Sequence, residues 1–348
     1  MQRLSRTCIA AAALVLASLI IWSALPIRAQ AQSVEQFYRN RAVRLLLAAA
    51  PGGGADIYAR ILVNHLGKHI PGHPTFVIIN QPGAGGLLGA GILQNTAPKD
   101  GSTIGFLQRN NLLEPVLAER DSGFDPRRVA WLGSLSRDTY VIFAWHTSGI
   151  RTIQDAMARE LILGNTGGGN ENVTYPLMLN QLAGTRFKLV RGYKGSDEVA
   201  LAIERGEVQG RAITWTTLGA EHGQWLVEKK VNVLIQLTTR KHPDLPDIPL
   251  ALDITRSDQD RRLFELMMSP LEAGRPFAVP LGTPTDRIAA LRAAFEAVAT
   301  DQSFQGEVKA RGGAVELMSG GAIQALVDHL YQTPKDLIAR ARAISQAR

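Results

Sequence analysis

The sequence has almost no cysteine. Its one cysteine, Cys8, lies in the N-terminal apolar stretch and follows Ser-Arg-Thr at residues 5–7. A lipoprotein site has small and aliphatic residues there, so no lipid anchor is indicated. The rest of the chain has no disulfides, which argues against a small disulfide-stapled secreted scaffold and suits a Gram-negative periplasm.

Long apolar runs are also scarce. The one run, residues 8–25, follows Arg3 and Arg6 and precedes Ala-Gln-Ala at residues 29–31. This pattern predicts a signal peptide, residues 1–31, cleaved after Ala31 so that the mature chain enters the periplasm. A retained membrane anchor is the alternative, although Ser18, Ser23 and Pro26 interrupt or end the run, and no later segment is long enough to span a bilayer.

No tract of lysine and arginine occurs. The formal charge is +7, and removal of Arg3, Arg6 and Arg28 with the signal lowers it to +4, because that segment has no acidic residue. The remaining basic residues are scattered, without an aromatic-interleaved stripe, which excludes nucleic acid as the expected partner. A mild positive balance fits small anions.

Nucleotide-binding signatures are absent. No Gly-Lys-Ser/Thr follows the glycines at 52–54, and Leu88 replaces the third glycine that a dinucleotide fingerprint would need after Gly83 and Gly85. The sequence therefore predicts no nucleotide cofactor.

Metal-binding and catalytic signatures are absent as well. His65, His69 and His73 are spaced by four, but Pro71 and Gly72 break the helix and no His-Glu-x-x-His pattern occurs. No Gly-x-Ser-x-Gly elbow presents a nucleophile. We therefore predict no metal site and no catalytic residue.

Short apolar strands alternate with helical patterns, which is typical of α/β lobes with mostly parallel sheets flanked by helices. The predicted strands are 43–50, 75–79, 102–107, 161–163, 188–190, 208–213, 231–237 and 277–279, with an extended segment at 131–145. The predicted helices are 55–68, 87–95, 153–159, 172–182, 196–205, 285–300, 303–311 and 321–329. The Pro-rich stretch 241–249 is interpreted as the return path between lobes.

The 317 mature residues exceed what one compact core usually organises. We predict a first lobe over 32–138, a second lobe over 139–238, and a return segment with the C-terminal part of the first lobe over 239–348. The chain would then cross between the lobes twice, as hinged ligand clamps do.

Four glycine-rich turns, at 51–54, 82–86, 167–169 and 192–196, each separate a predicted strand from a predicted helix. Glycine lets a backbone approach a ligand, and the following helix offers unpaired N–H groups and the positive end of its dipole. Tight turns without a ligand are the alternative for any one loop. Because two turns fall in each lobe, we expect them to hold an anion between the lobes.

The chain resembles the solute receptors of tripartite tricarboxylate transporters, often called Bug-type receptors, over nearly the whole mature sequence. The motifs that carry the resemblance are PGGGAD at 51–56, NQPGAGG at 80–86, APKDGST at 97–103, GGGN at 167–170, VRGYKGS at 190–196, RGEV at 205–208 and AVPLGTP at 278–284.

This resemblance implies a two-lobed Venus-flytrap fold, no cofactor, and a carboxylated ligand held largely by loop backbone amides. It also implies two partners, the large and small integral-membrane subunits that perform transport. The residues expected to bind the ligand are Gly53, Gly54, Asp56, Gly83, Ala84, Gly85, Gly86, Arg109, Asn110, Thr166, Gly167, Gly168, Asn170, Tyr193, Lys194, Gly195, Ser196, Arg211 and Trp215.

The segment 210–216 departs from the family pattern. Family members usually have an acidic residue in this strand, which in the members that bind amino acids can meet the ligand ammonium, whereas this chain has Arg211 and Trp215. The change favours a carboxylate without an amino group, gripped by the arginine and stacked on the indole. Arg211 facing solvent and Trp215 in the core are the alternatives. Arg109 and Asn110 stand where the family has small residues, and Arg275 is a further candidate.

Two other functions stay open at this point. A receptor that signals to a membrane kinase would use the same clamp. An enzyme acting on carboxylated metabolites would need a base and a nucleophile, which the sequence does not offer. We expect a monomeric receptor of a di- or tricarboxylate or an aromatic carboxylate.

Overall fold

A computed structural model describes residues 32–118, 121–166 and 171–346. The predicted signal peptide and three predicted ligand residues, Gly167, Gly168 and Asn170, lie outside the described residues. Within them, two sheets flanked by helices form a two-lobed α/β structure. No helix in the described part of the chain is both long and apolar enough to cross a membrane.

The described residues form eleven strands and thirteen helices of the α type. The strands are β1 (Ala42–Leu47), β2 (Thr75–Asn80), β3 (Thr103–Phe106), β4 (Val129–Ser134), β5 (Tyr140–Trp145), β6 (Leu161–Asn165), β7 (Phe187–Arg191), β8 (Gly210–Thr214), β9 (Val231–Leu237), β10 (Pro276–Pro280) and β11 (Met318–Ser319). The helices are α1 (Val34–Tyr38), α2 (Gly54–His69), α3 (Leu87–Asn95), α4 (Glu114–Leu117), α5 (Ile153–Ala158), α6 (Glu171–Ala183), α7 (Ser196–Glu204), α8 (Trp215–Val227), α9 (Asp258–Met268), α10 (Thr285–Thr300), α11 (Gln302–Ala310), α12 (Gly320–Tyr331) and α13 (Lys335–Ser345).

The sheet of the first lobe has the strand order β11-β4-β10-β3-β1-β2, and that of the second lobe has β7-β6-β8-β5-β9. The pairs β1/β2, β1/β3, β6/β7 and β6/β8 are parallel, as the strand-turn-helix pattern predicted. Both sheets are nevertheless mixed. The first strand after each crossing, β5 or β10, runs antiparallel to both of its neighbours because the chain enters the sheet from the other lobe.

The two crossing segments lie against each other. The amide of Asp138 donates to the carbonyl of Leu271 at 2.9 Å, and the amide of Gly274 donates to the carbonyl of Ser136 at 2.9 Å. A Cβ on Gly274 would come within 3.0 Å of that carbonyl oxygen. The glycine therefore permits the close approach of the two segments that join the lobes.

Several elements differ from the predictions. The extended segment 131–145 is two strands in different sheets, because the chain crosses between the lobes at residues 135–139. Helices α8, α9 and α13 were not predicted, and neither were the short helices α1 and α4. The Pro-rich stretch 241–249 packs back on the second lobe, where the Gln236 side-chain amide donates to the carbonyls of Leu245 and Ile248, each at 2.8 Å.

The histidines of α2 contact carboxylates of a neighbouring helix. His65 is buried, with Nε2 3.2 Å from a carboxylate oxygen of Glu307, and His69 Nε2 lies 3.1 Å from Asp301 Oδ2. Both carboxylates belong to α11 or to the residue that caps its N-terminus. These contacts fasten α11 to α2, on a face of the first lobe separate from the cavities described next.

Candidate functional site

A cavity of about 290 Å³ lies between the two lobes and is called here the small cavity. The first lobe contributes Gly54 and Ala55 at the start of α2, the segment 106–109 after β3, and Arg275 before β10. The second lobe contributes Asn172, the end of β8, and Thr216 and Thr217 of α8. The cavity is therefore built at the carboxyl ends of strands, where α/β sheets usually bind ligands.

Arg211 projects from β8 into the small cavity and is only 5% exposed. Its Nη1 donates to the hydroxyl of Ser196 at 2.9 Å and to the carbonyl of Ser196 at 3.3 Å. In the part of the chain that the structure describes, no carboxylate lies within 4.0 Å of this guanidinium, and Nε has no hydrogen-bond partner. Burial lowers the pKa of Arg211, and Glu221 partly opposes this effect.

Arg275 enters the same cavity from the first lobe. Its guanidinium carbon lies 4.1 Å from the centroid of the Tyr58 ring, a cation–π contact that orients the side chain. The backbone amide of Arg275 donates to the hydroxyl of Ser134 at 3.0 Å. Within the described residues, no carboxylate pairs with Arg275.

Two helix N-termini, one from each lobe, also border the small cavity. Gly54 and Ala55 open the 16-residue α2, while Thr216 and Thr217 lie in the first turn of the 13-residue α8. The Thr214 hydroxyl caps α8 by accepting from the Thr217 amide at 3.2 Å. The positive ends of both helix dipoles therefore reinforce the charge of the arginines.

Arg109 borders the cavity, but its charge is already paired. Nε donates to Glu171 Oε1 at 2.9 Å, and Nη1 donates to Asp138. Burial disfavours the charged guanidinium, yet Glu171 and Asp138 together raise the pKa of Arg109 above its ordinary value. Arg109 follows β3 and Glu171 opens α6, so the ion pair joins the two lobes directly.

A second cavity of about 850 Å³, called here the large cavity, lies on the other side of Arg109. It is bordered by the glycine turn 82–86, by Glu114 and Glu171, and by residues near the end of α13. Burial raises the pKa of Glu114, while a hydrogen bond from Asn110 opposes the rise and nearby Glu171 adds to it.

The two cavities differ in the sign of their charge. The charged residues around the small cavity are three arginines (109, 211 and 275) and Asp138, which gives a formal charge of +2. Those around the large cavity are Arg109 and two glutamates (114 and 171), which gives −1. A small anion is therefore favoured in the small cavity.

No protein-family model matches the chain. Two curated relatives do match it. A UPF0065 protein from the gbd 5' region of Cupriavidus necator is 31% identical over 202 residues, which cover 55% of this chain and 58% of the relative. A UPF0065 protein of Bordetella bronchiseptica is 26% identical over 257 residues, which cover 71% of this chain and 70% of that relative.

Solved structures match over a greater length. A TctC solute-binding protein from Polaromonas has a TM-score of 0.67, with 19% identity, over 87% of this chain and 99% of that protein. The periplasmic binding protein BugD has a TM-score of 0.64, with 22% identity, over 87% and 98%. MatC of Rhodopseudomonas palustris, solved with bound malate, has a TM-score of 0.62, with 19% identity, over 88% and 99%.

The chain has the fold of the TctC and Bug solute-binding proteins. The resemblance that the sequence motifs indicated is confirmed by these neighbours. Three of the predicted glycine turns, at 51–54, 82–86 and 192–196, lie among the described residues. On this TctC/Bug fold they lie next to one of the cavities or next to Arg211, and their roles differ.

Asp56 fixes the first glycine turn of this chain, at residues 51–54. This buried carboxylate accepts from the Gly52 amide at 3.1 Å, from Arg60 Nε at 2.9 Å and from Asn80 Nδ2 at 3.0 Å. The hydrogen bonds from Arg60, Asn80 and Gly52 lower the pKa of Asp56 to about 2. Asp56 thus positions the turn and the end of β2, while Gly53, the residue before α2, is exposed and only Gly54 borders the small cavity.

The second turn borders the large cavity. Gly83, Ala84, Gly85 and Gly86 all have positive φ, and a short 3₁₀ helix spans Ala84–Gly86. The carbonyl of Gly85 accepts from the side-chain amides of Asn110 and Asn111, each at 3.1 Å. The structure therefore places Asn110 as a support of this turn.

The predicted residues of the second lobe contribute less directly. Ser196 positions Arg211 and donates from its hydroxyl to Glu221 at 2.7 Å. Gly195 precedes α7, and the Lys194 amide donates to Glu198. Tyr193 borders neither cavity. Thr166 accepts from the side-chain amide of Asn172 at 3.0 Å, and the other amide atom of Asn172, Oδ1, is buried without a partner among the described residues.

Trp215 is the first residue of α8 and not a strand residue, because the Thr214 cap ends β8. Its indole N–H donates to Asp244 at 3.2 Å, and its ring borders neither cavity. Sequence reasoning missed the roles of Asn172, Thr216, Glu114 and Glu171. Only Thr216 had a local signal, because the Thr-x-x-Thr spacing at 214–217 is typical of the start of the helix that contains it.

Proposed function

We propose that the chain is a periplasmic solute-binding receptor that captures a small carboxylate between its lobes and delivers it to the large and small membrane subunits of a tripartite tricarboxylate-type transporter. The observation that carries the proposal is the small cavity with a formal charge of +2, in which Arg211 and Arg275 have no carboxylate partner among the described residues. The TctC/Bug fold supports the transport role.

The ligand should lack an amino group. The one carboxylate that borders the small cavity, Asp138, is paired with Arg109, so no free acid is offered to an ammonium within the described residues. A guanidinium grips a carboxylate through paired, charge-assisted hydrogen bonds and repels a cation. MatC, a neighbour in fold, was solved with malate, which is such a carboxylate.

The proposal is tested by calorimetry and thermal unfolding of the mature chain with mono-, di- and tricarboxylates, aromatic carboxylates, aspartate and glutamate. A true ligand at 100 times its Kd should stabilise the protein by about 2.7 kcal/mol. We expect this stabilisation from at least one carboxylate without an amino group and little from the two amino acids. Absence of binding by every carboxylate would contradict the receptor assignment, and tight binding of aspartate would contradict the ligand class.

A further inference from the structure

Two arginines from opposite lobes border one cavity, and neither makes a direct ion pair within the part of the chain that the structure describes. Each is positioned by a contact with its own lobe. The ring of Tyr58 supports Arg275 in the first lobe, and Ser196 supports Arg211 in the second. This support leaves the remaining donors of each guanidinium for a ligand, because an arginine has five N–H donors in a planar fork.

Glu221 is linked to Arg211 through the intervening Ser196 hydroxyl and makes no ion pair with it, so the place of a direct carboxylate partner is left for a ligand. The Arg211 side chain is 95% buried. Among the described residues its Nε has no partner, and neither does the buried Oδ1 of Asn172, which borders the same cavity. Burial of an unpaired charge is costly unless a counter-ion and hydrogen bonds accompany it. Arg109 in the same wall shows the paired alternative, with two carboxylates supplied by the protein.

We propose that Arg275 and Arg211 determine specificity for a dianion, each binding one carboxylate of the same dicarboxylate. The inference rests on the proposed receptor function and adds how the ligand is selected. The second carboxylate then has a mechanical role, because it connects the guanidinium of one lobe to that of the other. A monocarboxylate satisfies one arginine only and leaves the lobes unlinked.

The size of the site limits the ligand. A volume of about 290 Å³ is just below the range for small-molecule pockets, about 300 to 1,000 Å³. Thr216 and Thr217 of the second lobe also border the cavity, and their hydroxyl groups suit a short polar backbone between the carboxylates.

The test varies the charge of the ligand and the charge of the cavity independently and measures binding affinity. Straight-chain dicarboxylates from malonate to adipate are titrated calorimetrically, each beside the monocarboxylate with the same number of carbons, for example succinate beside butyrate. The wild-type protein and the Arg275→Gln and Arg211→Gln variants are compared. Arg151→Gln, which removes an exposed charge from the second lobe far from the cavity lining, is the matched control.

We expect the wild-type protein and Arg151→Gln to prefer the best dicarboxylate strongly over its monocarboxylate. Loss of either cavity arginine should weaken the dicarboxylate by about 10- to 150-fold, the factor that corresponds to one buried charge-assisted hydrogen-bonding group. Monocarboxylate affinity should change only a few-fold because one arginine remains, so the preference collapses. Small-angle scattering should show lobe closure with the dicarboxylate and not with the monocarboxylate.

Arg275→Lys and Arg211→Lys are the controls for a folding defect. Each keeps the positive charge and should therefore retain a reduced preference for dianions. A preference that persists in folded Arg275→Gln or Arg211→Gln overturns the two-arginine assignment while leaving the receptor function intact. Equal binding of mono- and dicarboxylates by the wild-type protein overturns it too, as does pyrophosphate binding more tightly than every dicarboxylate. Failure of all carboxylates to bind instead removes the receptor function itself.

Discussion

The small and large cavities share Arg109 and the segment that follows β3, yet they present opposite charge. Around the small cavity, two of three arginines have no carboxylate partner among the described residues; around the large one, the single arginine is paired and Glu114 has only a neutral partner in Asn110. The number of basic residues near a cleft is therefore a poor guide to anion binding. What matters is which of them the protein has already neutralised.

The strongest test of this distinction removes the shared arginine. Arg109→Met should destabilise the protein by about 3 to 5 kcal/mol, because it strands the partly buried carboxylates of Asp138 and Glu171. Urea unfolding measures the loss. Adding Asp138→Asn and Glu171→Gln to the same variant should restore most of the stability, since no buried charge is then left unpaired. A mild effect of Arg109→Met alone would mean that the ion pair contributes little to the stability of the protein.

Two glycine substitutions should distinguish the roles of the two cavities, with smaller effects on stability. Gly86→Ala places a side chain at φ +95° with its Cβ 2.6 Å from Gln108 Cγ, and should cost about 1 to 2 kcal/mol of stability. Gly54→Ala meets nothing within 4 Å at the start of α2 and should fold with equal or slightly greater stability. Because Gly54 borders the small cavity, its substitution should weaken carboxylate binding. Normal affinity in Gly54→Ala, measured by calorimetry, would contradict the placement of the ligand.

The smallest expected effect is a pH dependence at the edge of the small cavity. The pKa of Asp56 is about 2 in the folded protein, below the ordinary aspartate value of 3.8, so its carboxylate stabilises the fold above about pH 4. That contribution should fall away between about pH 4 and pH 2. Asp56→Asn should flatten the corresponding part of the stability profile and also weaken ligand binding, since it loosens the turn before Gly54.

Asp301, whose pKa is also about 2 through its hydrogen bond with His69, is the matched control because it lies at the α2–α11 contact. Asp301→Asn should alter the acid limb of the stability profile without changing carboxylate affinity. Equal losses of affinity in the two variants would show that Asp56 acts through general stability and not through the turn.

The strand-turn-helix units of both lobes could be predicted because their signals are local. An apolar strand, a glycine turn and an amphipathic helix follow one another within about thirty residues, as from β1 through α2. Helix α8 was missed because the residues after β8 continue its mixed polar and apolar pattern, and only the hydrogen bond between the Thr214 hydroxyl and the Thr217 amide ends the strand.

Whether each arginine is paired with a carboxylate could not be predicted from the sequence. The partners that neutralise Arg109, Asp138 and Glu171, are 29 and 62 residues away in the chain, so only the folded structure shows that this charge is paired. Arg211 was a candidate because it departs from the family pattern in its own strand. Arg275 was named without a role, since its position opposite Arg211 depends on the second crossing between the lobes.

The position of β10 has a consequence for the order in which the protein is made. All five strands of the second sheet lie within one continuous segment, from Tyr140 to Leu237, whereas β4 pairs only with β10 and β11. A ribosome makes a chain from its N-terminus, so β4 has neither of its strand neighbours until residues 276–280 have been made. The sheet that begins first is thus completed last, after every strand of the second sheet has been made.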